Sequence, residues 1–292
     1  MNFVCRFSVC LLVISVAGCG REEETAPPVA TPRVTLERST AALGSPLEIK
    51  YRFEVAQNAP AFTDDYWVFV HFLDRDSELM WTDDHRPPTP TLRWKPGETI
   101  EYTRTMFIPK FPYTGPTRVE VGLFSPKTNE RLPMVGQTRG QRSYEVATFE
   151  LQQPSDSHFV VFKDGWHSAE IADDQVGTEW QWSKKEATLT FRNPKREALF
   201  YLQADRPATP FPEAQTVELR IGDRVVDRFQ VAAHEPVLRK FVLTPAQLGS
   251  EDPVEMRIVV DRTFVPAAIP AMNSRDPREL GIRVFRAYVE PR

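Results

Sequence analysis

Between residues 47 and 55 the chain reads Leu-Glu-Ile-Lys-Tyr-Arg-Phe-Glu-Val, apolar and polar by turns. A period of two puts Leu47, Ile49, Tyr51, Phe53 and Val55 on one face of an extended strand and the charges on the other. Residues 66–73 break the alternation and are nearly all apolar, rich in aromatic and β-branched side chains. That composition predicts a central strand covered on both faces. Asp74-Arg75-Asp76-Ser77 supplies turn chemistry ahead of Glu78-Leu79-Met80-Trp81. Further strand patterns run over 99–108, 119–124 and 144–151, with a turn at 125–130. From Val34 to about Leu151 no long helical period intervenes, so about seven short strands predict an antiparallel sandwich.

The second half repeats the theme with different strands. Gln152-Gln153-Pro154-Ser155-Asp156-Ser157 is polar and turn-forming, and a fresh apolar run, 159–162, follows it. Short β-like runs then cover 187–191, 199–204, 216–221, 225–231, 238–243 and 254–260, punctuated by proline and Gly-Asp. Only residues 244–249 read as a helical turn, with Pro245 at the start and Gly249 past the end. The expected fold class is all-β: two consecutive antiparallel β-sandwiches, residues 33–152 and 153–292, the second of jelly-roll type.

Two resemblances sharpen this division. A long apolar strand, a turn, a second aromatic strand and the late Val119-Glu120-Val121-Gly122-Leu123-Phe124 make the first half resemble an immunoglobulin-like module. There is no Cys-Trp-Cys signature, and Thr117 and Arg118 stand where a corner tyrosine belongs, with Tyr113 nearby but shifted. The second half carries Gly165-Trp166-His167-Ser168-Ala169-Glu170 and a Trp180-x-Trp182 pair before an Ala-Thr-Leu-Thr-Phe strand. It ends with the segment 274–284, Ser-Arg-Asp-Pro-Arg-Glu-Leu-Gly-Ile-Arg-Val. This pattern is similar to non-catalytic β-sandwich modules that accompany bacterial surface-glycan glycosyltransferases. The resemblance implies a binding or scaffolding role without transfer chemistry.

The amino terminus bears on location. Arg6, the apolar run 9–14 and the small residues ahead of Cys19 have the layout of an export signal. Val16-Ala17-Gly18-Cys19 resembles the lipobox of bacterial lipoproteins. The resemblance implies removal of residues 1–18, acyl chains on Cys19, and anchoring to a membrane of the cell envelope. A plain secretory signal is the rival reading. The apolar stretch is only about half of the ~20 residues that a spanning helix needs. Gly20 after the cysteine, rather than Asp, is compatible with outer-membrane sorting, facing the periplasm or the cell surface. Residues 19–32 read as a tether, because Glu22-Glu23-Glu24 repel each other and the prolines favour extended chain. The other cysteines, Cys5 and Cys10, lie inside the signal, so neither sandwich has a disulfide to lean on and each depends on its core.

Charge and motif content restrict function. The chain has 36 Lys plus Arg against 40 Asp plus Glu, without a basic run, and nucleic acid is not an expected partner. No Gly-x-Ser-x-Gly elbow, Ser-x-x-Lys, His-Glu-x-x-His or glycine-rich phosphate loop occurs. Asp83-Asp84-His85 with His71 is the only arrangement resembling a metal site. It has no second ligand pair, and Arg86 follows directly, so it reads as a solvated turn and no metal or cofactor is expected.

Trp166, Trp180 and Trp182 concentrate indole rings that can stack on a pyranose, with Glu170, Asp173, Asp174 and Glu179 close by as hydroxyl acceptors. Trp180 and Trp182 share one face of a strand, either outward as a platform or inward as core. Arg275, Asp276 and Arg278 either grip a ligand bidentately or form a turn in which Asp276 caps Pro277-Arg278-Glu279. Glu170 with Asp173, Asp174 or Glu179 is the carboxylate pair a glycoside hydrolase would use. The expectation is a non-catalytic, lipid-anchored envelope protein that binds or scaffolds, with glycan as the leading ligand class. An envelope polysaccharide hydrolase and a purely structural assembly factor are the alternatives.

Overall fold

The computed structural model describes residues 26–154, 159–172, 178–233 and 236–292. Cys19 and its signal, Asp173 and Asp174 lie outside the described residues. Nineteen described strands arrange in four sheets, two in each half.

The first half comprises β1 (Ala30–Leu36), β2 (Thr40–Ala42), β3 (Pro46–Val55), β4 (Trp67–Leu73), β5 (Leu79–Thr82), β6 (Thr99–Phe107), β7 (Gly115–Phe124), β8 (Arg131–Leu132) and β9 (Tyr144–Gln152). One sheet has the order β1-β3-β6; the other runs β2-β9-β7-β4-β5, with β8 beside β7. Every pairing is antiparallel except β2 with β9. First, third and sixth strands in one sheet, facing β4, β7 and β9 in the other, is the immunoglobulin-like arrangement. The alternation in β3 sets its inner face: Leu47, Ile49, Tyr51 and Phe53 are fully buried. In place of a disulfide, the space between the sheets holds stacked rings. Tyr51 lies on Tyr102 at 5.1 Å, and Phe72 on Trp81 at 4.9 Å. The Tyr113 hydroxyl donates to the Pro116 carbonyl at 2.8 Å and pins the turn entering β7, a shifted corner tyrosine.

The tether ends earlier than its prolines indicate. Val29 and Ala30 are buried, and Ala30 to Pro32 pair with Val55 to Phe53 inside β1. Pro32 is tolerated because β1 is an edge strand, where a missing N–H leaves no partner unmet.

The second half comprises β10 (Val160–Phe162), β11 (Glu170–Ile171), β12 (Glu179–Trp182), β13 (Glu186–Phe191), β14 (Ala198–Asp205), β15 (Gln215–Ile221), β16 (Arg224–Val231), β17 (Val237–Leu243), β18 (Val254–Val260) and β19 (Arg283–Pro291). Sheets β10-β13-β18-β15-β16 and β11-β12-β19-β14-β17 face each other across a core that includes Leu189, Phe200, Leu202, Leu219, Met256 and Ile258. The helical turn α1 (Pro245–Leu248) forms as its sequence predicts. Gln247 Oε1 accepts the Thr244 N–H at 2.9 Å, and Gly249 closes the turn at φ +68°.

Among the described residues, the most deeply buried charged side chain is an arginine. Arg206 is 1% exposed, and its guanidinium donates to the carbonyls of Val231 (3.0 Å), Pro207 (3.0 Å), Phe211 (2.9 Å) and Glu213 (2.5 Å). It also lies over the Phe211 ring at 4.7 Å. The side chain acts as an internal scaffold for the loop between β14 and β15.

The sandwiches meet where the outer face of β14 and β19 abuts the first half. Phe107 packs edge-on against Tyr201 at 6.4 Å, and Lys240 pairs with Glu48 at 2.8 Å. Arg38 bonds Glu290, whose second oxygen accepts the Tyr201 hydroxyl at 3.0 Å. These contacts hold a cleft between the halves.

Candidate functional site

The cleft has a volume of about 1270 Å³ and is framed by β5 and β6 on one side and β11, β12, β14 and β19 on the other. Strand register places its chemistry. In the β14–β19 pair Asp205 stands opposite Arg283, and their side chains make a bidentate pair, 2.6 Å on each arm. In the β12–β19 pair Trp182 stands opposite Arg283, and Trp180, two residues away, shares that face. The Arg283 guanidinium consequently lies over Trp180 at 5.2 Å, Trp182 at 5.7 Å and Phe285 at 5.4 Å. Across the cleft, Arg104 makes a second bidentate pair with Asp83, at 3.0 and 3.2 Å. Phe107 at the end of β6 adds an apolar wall.

The residues expected to bind glycan separate into groups. Trp180 is half-buried and lines the cleft; its Nε1 has no hydrogen-bond partner. Glu170, opposite Trp180 in the β11–β12 pair, also lines it. Arg278 reaches Glu170 at 2.7 Å and grips Asp276 through Nε and Nη2, at 3.0 and 2.7 Å. Asp276 also accepts the Arg278 backbone N–H at 2.9 Å, and the Arg278 side chain holds its carboxyl below the usual range. These bonds join Asp276 to the backbone two residues on, and Arg278 links this segment to Glu170 of β11. Arg275 is exposed and apart from these bonds.

Two of the three tryptophans leave the platform. Trp182 is 8% exposed, edge-on to Phe264 at 5.8 Å, in a small core with Leu280. Trp166 packs against Phe162 at 4.6 Å and donates from Nε1 to the Thr188 carbonyl at 2.8 Å. Both rings are tied into the sandwich. Glu170 and Glu179 occupy adjacent register positions, opposite Trp180 and Ile171 respectively, so their side chains leave the ribbon on opposite faces. Both nonetheless line the cleft, and Asp173 and Asp174, the other acids considered beside Glu170, lie outside the described residues.

No protein family matches the chain, and no curated protein matches it. Solved structures overlap it in part. An alkylpurine DNA glycosylase of Pseudomonas fluorescens bound to DNA is 14% identical, with a TM-score of 0.23 over 43% of this chain and 31% of that one. The M60 catalytic domain with two CBM51 domains from Clostridium perfringens is 8% identical, with a TM-score of 0.26 over 85% and 34%. A tandem of CBM22 domains from Paenibacillus barcinonensis is 9% identical, with a TM-score of 0.26 over 86% and 79%. The chain spans about a third of the length of the first two. Overlaps at these scores carry no argument about what this chain binds.

The Asp83-Asp84-His85 segment is not the solvated turn its polarity predicts. His85 is 5% exposed, with Nδ1 2.8 Å from the Asp83 carbonyl and Nε2 2.8 Å from the Tyr102 hydroxyl. A carbonyl only accepts, so Nδ1 carries the proton and Nε2 accepts from Tyr102, the neutral tautomer. His71 and Asp84 line a different cavity. Among the described residues no group of three or more His, Cys, Asp and Glu is placed to hold a metal.

Burial, reinforced by Arg104, pushes the His85 pKa down from 6.5 to about 4. A group whose folded pKa is depressed by burial in its neutral form loses stability as pH falls, because the unfolded chain takes the proton first. The contribution is fully present above about pH 6.5 and is lost on acidification towards about pH 4, by as much as about 3 kcal/mol. Urea midpoints at pH 7 and pH 4 are expected to differ less in His85→Gln than in the native chain. Equal acid sensitivity in the two would contradict this assignment.

Proposed function

We propose that this chain is a non-catalytic, lipid-anchored protein of the cell envelope that holds an uncharged glycan in the cleft between its sandwiches. One observation carries the reading: Trp180, Phe107 and Phe285 line the same cleft as two bidentate arginine–aspartate pairs. Indole and phenyl faces suit the apolar faces of pyranose rings, while fixed carboxylates and guanidinium groups exchange hydrogen bonds with hydroxyls. Because Asp83 is matched by Arg104 and Asp205 by Arg283, the cleft favours a ligand without charge of its own. The same pairing supports a binding role over hydrolysis. Asp83, Asp205 and Glu170 are each engaged by an arginine, and a carboxylate so held is poorly placed to hand a proton to a leaving group. The lipobox-like Val16-Ala17-Gly18-Cys19 supports anchoring, with the acidic, proline-containing segment behind it as spacer.

Tryptophan fluorescence tests this reading against a panel of neutral envelope oligosaccharides. The native chain is expected to respond to at least one of them, and Trp180→Ala to lose that response while remaining folded. A response that survives in Trp180→Ala, or silence of the native chain across the panel, would remove the cleft from consideration.

A further inference from the structure

A second cavity, of about 510 Å³, opens on the first sandwich where β4, β7 and β8 lie together. Its floor is set by a glycine. Gly122 stands opposite Phe69 in the β4–β7 register, and a Cβ there would lie 2.1 Å from the Phe69 ring. The ring therefore occupies the space over the glycine and is 2% exposed. Arg131 of β8 lays its guanidinium over that ring at 4.3 Å, and its Nη1 donates to the Gln141 carbonyl at 2.9 Å. Arg142 reaches the opposite way, donating to the Arg131 carbonyl. Gln141 and Arg142 both adopt left-handed backbone, φ +50° and +55°, in the turn ahead of β9.

Both guanidinium groups line the cavity, and backbone carbonyls rather than carboxylates hold them. Asp84 is the acid among the lining residues, with Oδ1 accepting the Val70 N–H at 3.0 Å. Glu120, farther along the same face, is matched by Arg118 at 2.9 Å and bonded by Ser143 at 2.6 Å. Burial pushes the His71 pKa down, so that ring is neutral near pH 7. Two arginines against one aspartate leave a surplus positive charge, in contrast to the balanced cleft.

We propose that this cavity binds an acidic sugar unit, with Arg131 and Arg142 holding its carboxylate and Asp84, His71 and Asn129 meeting its ring hydroxyls. The arginine fork matches a carboxylate in geometry as well as charge. Phe124 supplies an apolar wall, and the volume falls within the usual range for small-molecule sites. This site belongs to the first sandwich and shares no residue with the cleft, so it stands or falls separately.

Calorimetric titration of the full chain with glucuronate, glucose and acetate provides the test. Glucuronate is expected to bind at least roughly tenfold more tightly than glucose or acetate. Arg131→Gln and Arg142→Gln are each expected to weaken it by roughly tenfold or more. Arg142→Lys should recover only part of the affinity, because an ammonium lacks the fork. Asn129→Gly, at an exposed position whose left-handed backbone (φ +60°) glycine accepts, should weaken binding. Trp180→Ala should leave glucuronate affinity unchanged, which separates this site from the cleft. Absence of glucuronate binding, acetate binding as tightly as glucuronate, or unchanged affinity in folded arginine variants would each overturn the proposal.

Discussion

Arg206→Leu is expected to lower the melting temperature of the second sandwich by roughly 10 °C, from a loss of about 3–5 kcal/mol. The volume is nearly filled by leucine, so the effect is not chiefly a cavity. What disappears is the donor set for four carbonyls, those of Val231, Pro207, Phe211 and Glu213, around a side chain that is 1% exposed. An unmet buried carbonyl costs about 1–3 kcal/mol, and partial relaxation of the loop keeps the total below a simple sum. Arg206→Lys should recover little, because a single ammonium does not reach four acceptors arranged around a planar fork. Differential scanning calorimetry reads both variants. A shift in Arg206→Leu below about 2 °C would show that water replaces the guanidinium at little cost.

The second large effect separates core from site. Trp182→Ala is expected to cost about 3–5 kcal/mol, because the ring is closed in by Phe264 and Leu280. Trp180→Ala, on the same strand and the same face, should cost less than about 2 kcal/mol, since that ring is half-buried at the cleft wall. The difference between neighbours is the informative quantity. Chemical denaturation of the two variants in parallel measures it, and equal losses would show that Trp180 is as much a core residue as Trp182.

The inner face of β3 and the helical turn α1 were legible because each has a clear local signature, alternation in one and Pro-to-Gly punctuation in the other. Strands of two or three residues such as β2, β8 and β11 are too short to display a period and become strands only through their partners. β1 was partly hidden because proline suits an edge strand as well as a tether. The site was less legible for a related reason. Neighbouring positions in sequence drew attention to Trp166, Trp180 and Trp182 together, but the bridge between Phe264 and Leu280 accompanies burial of Trp182 while Trp180 stays at the cleft. Of the polar groups that complete the cleft, Asp205 is joined to Arg283 by strand register over 78 positions of chain, and Asp83, just past β5, meets Arg104 of β6 in the facing sheet over 21. Nothing local in the sequence pairs them. Asp83 sat inside a polar triplet that read as solvent-facing, and only the fold supplies Arg104 and the buried imidazole beside it.

Hydrogen–deuterium exchange on the full chain, with and without the oligosaccharide that gives the strongest fluorescence response, tests the cleft most directly. The account predicts slowed exchange in 104–109, 170–172, 179–180 and 203–205, drawn from both sandwiches at once, with no change along the outer strand β16. Protection confined to one sandwich, or located away from these segments, would contradict a glycan site between the two halves.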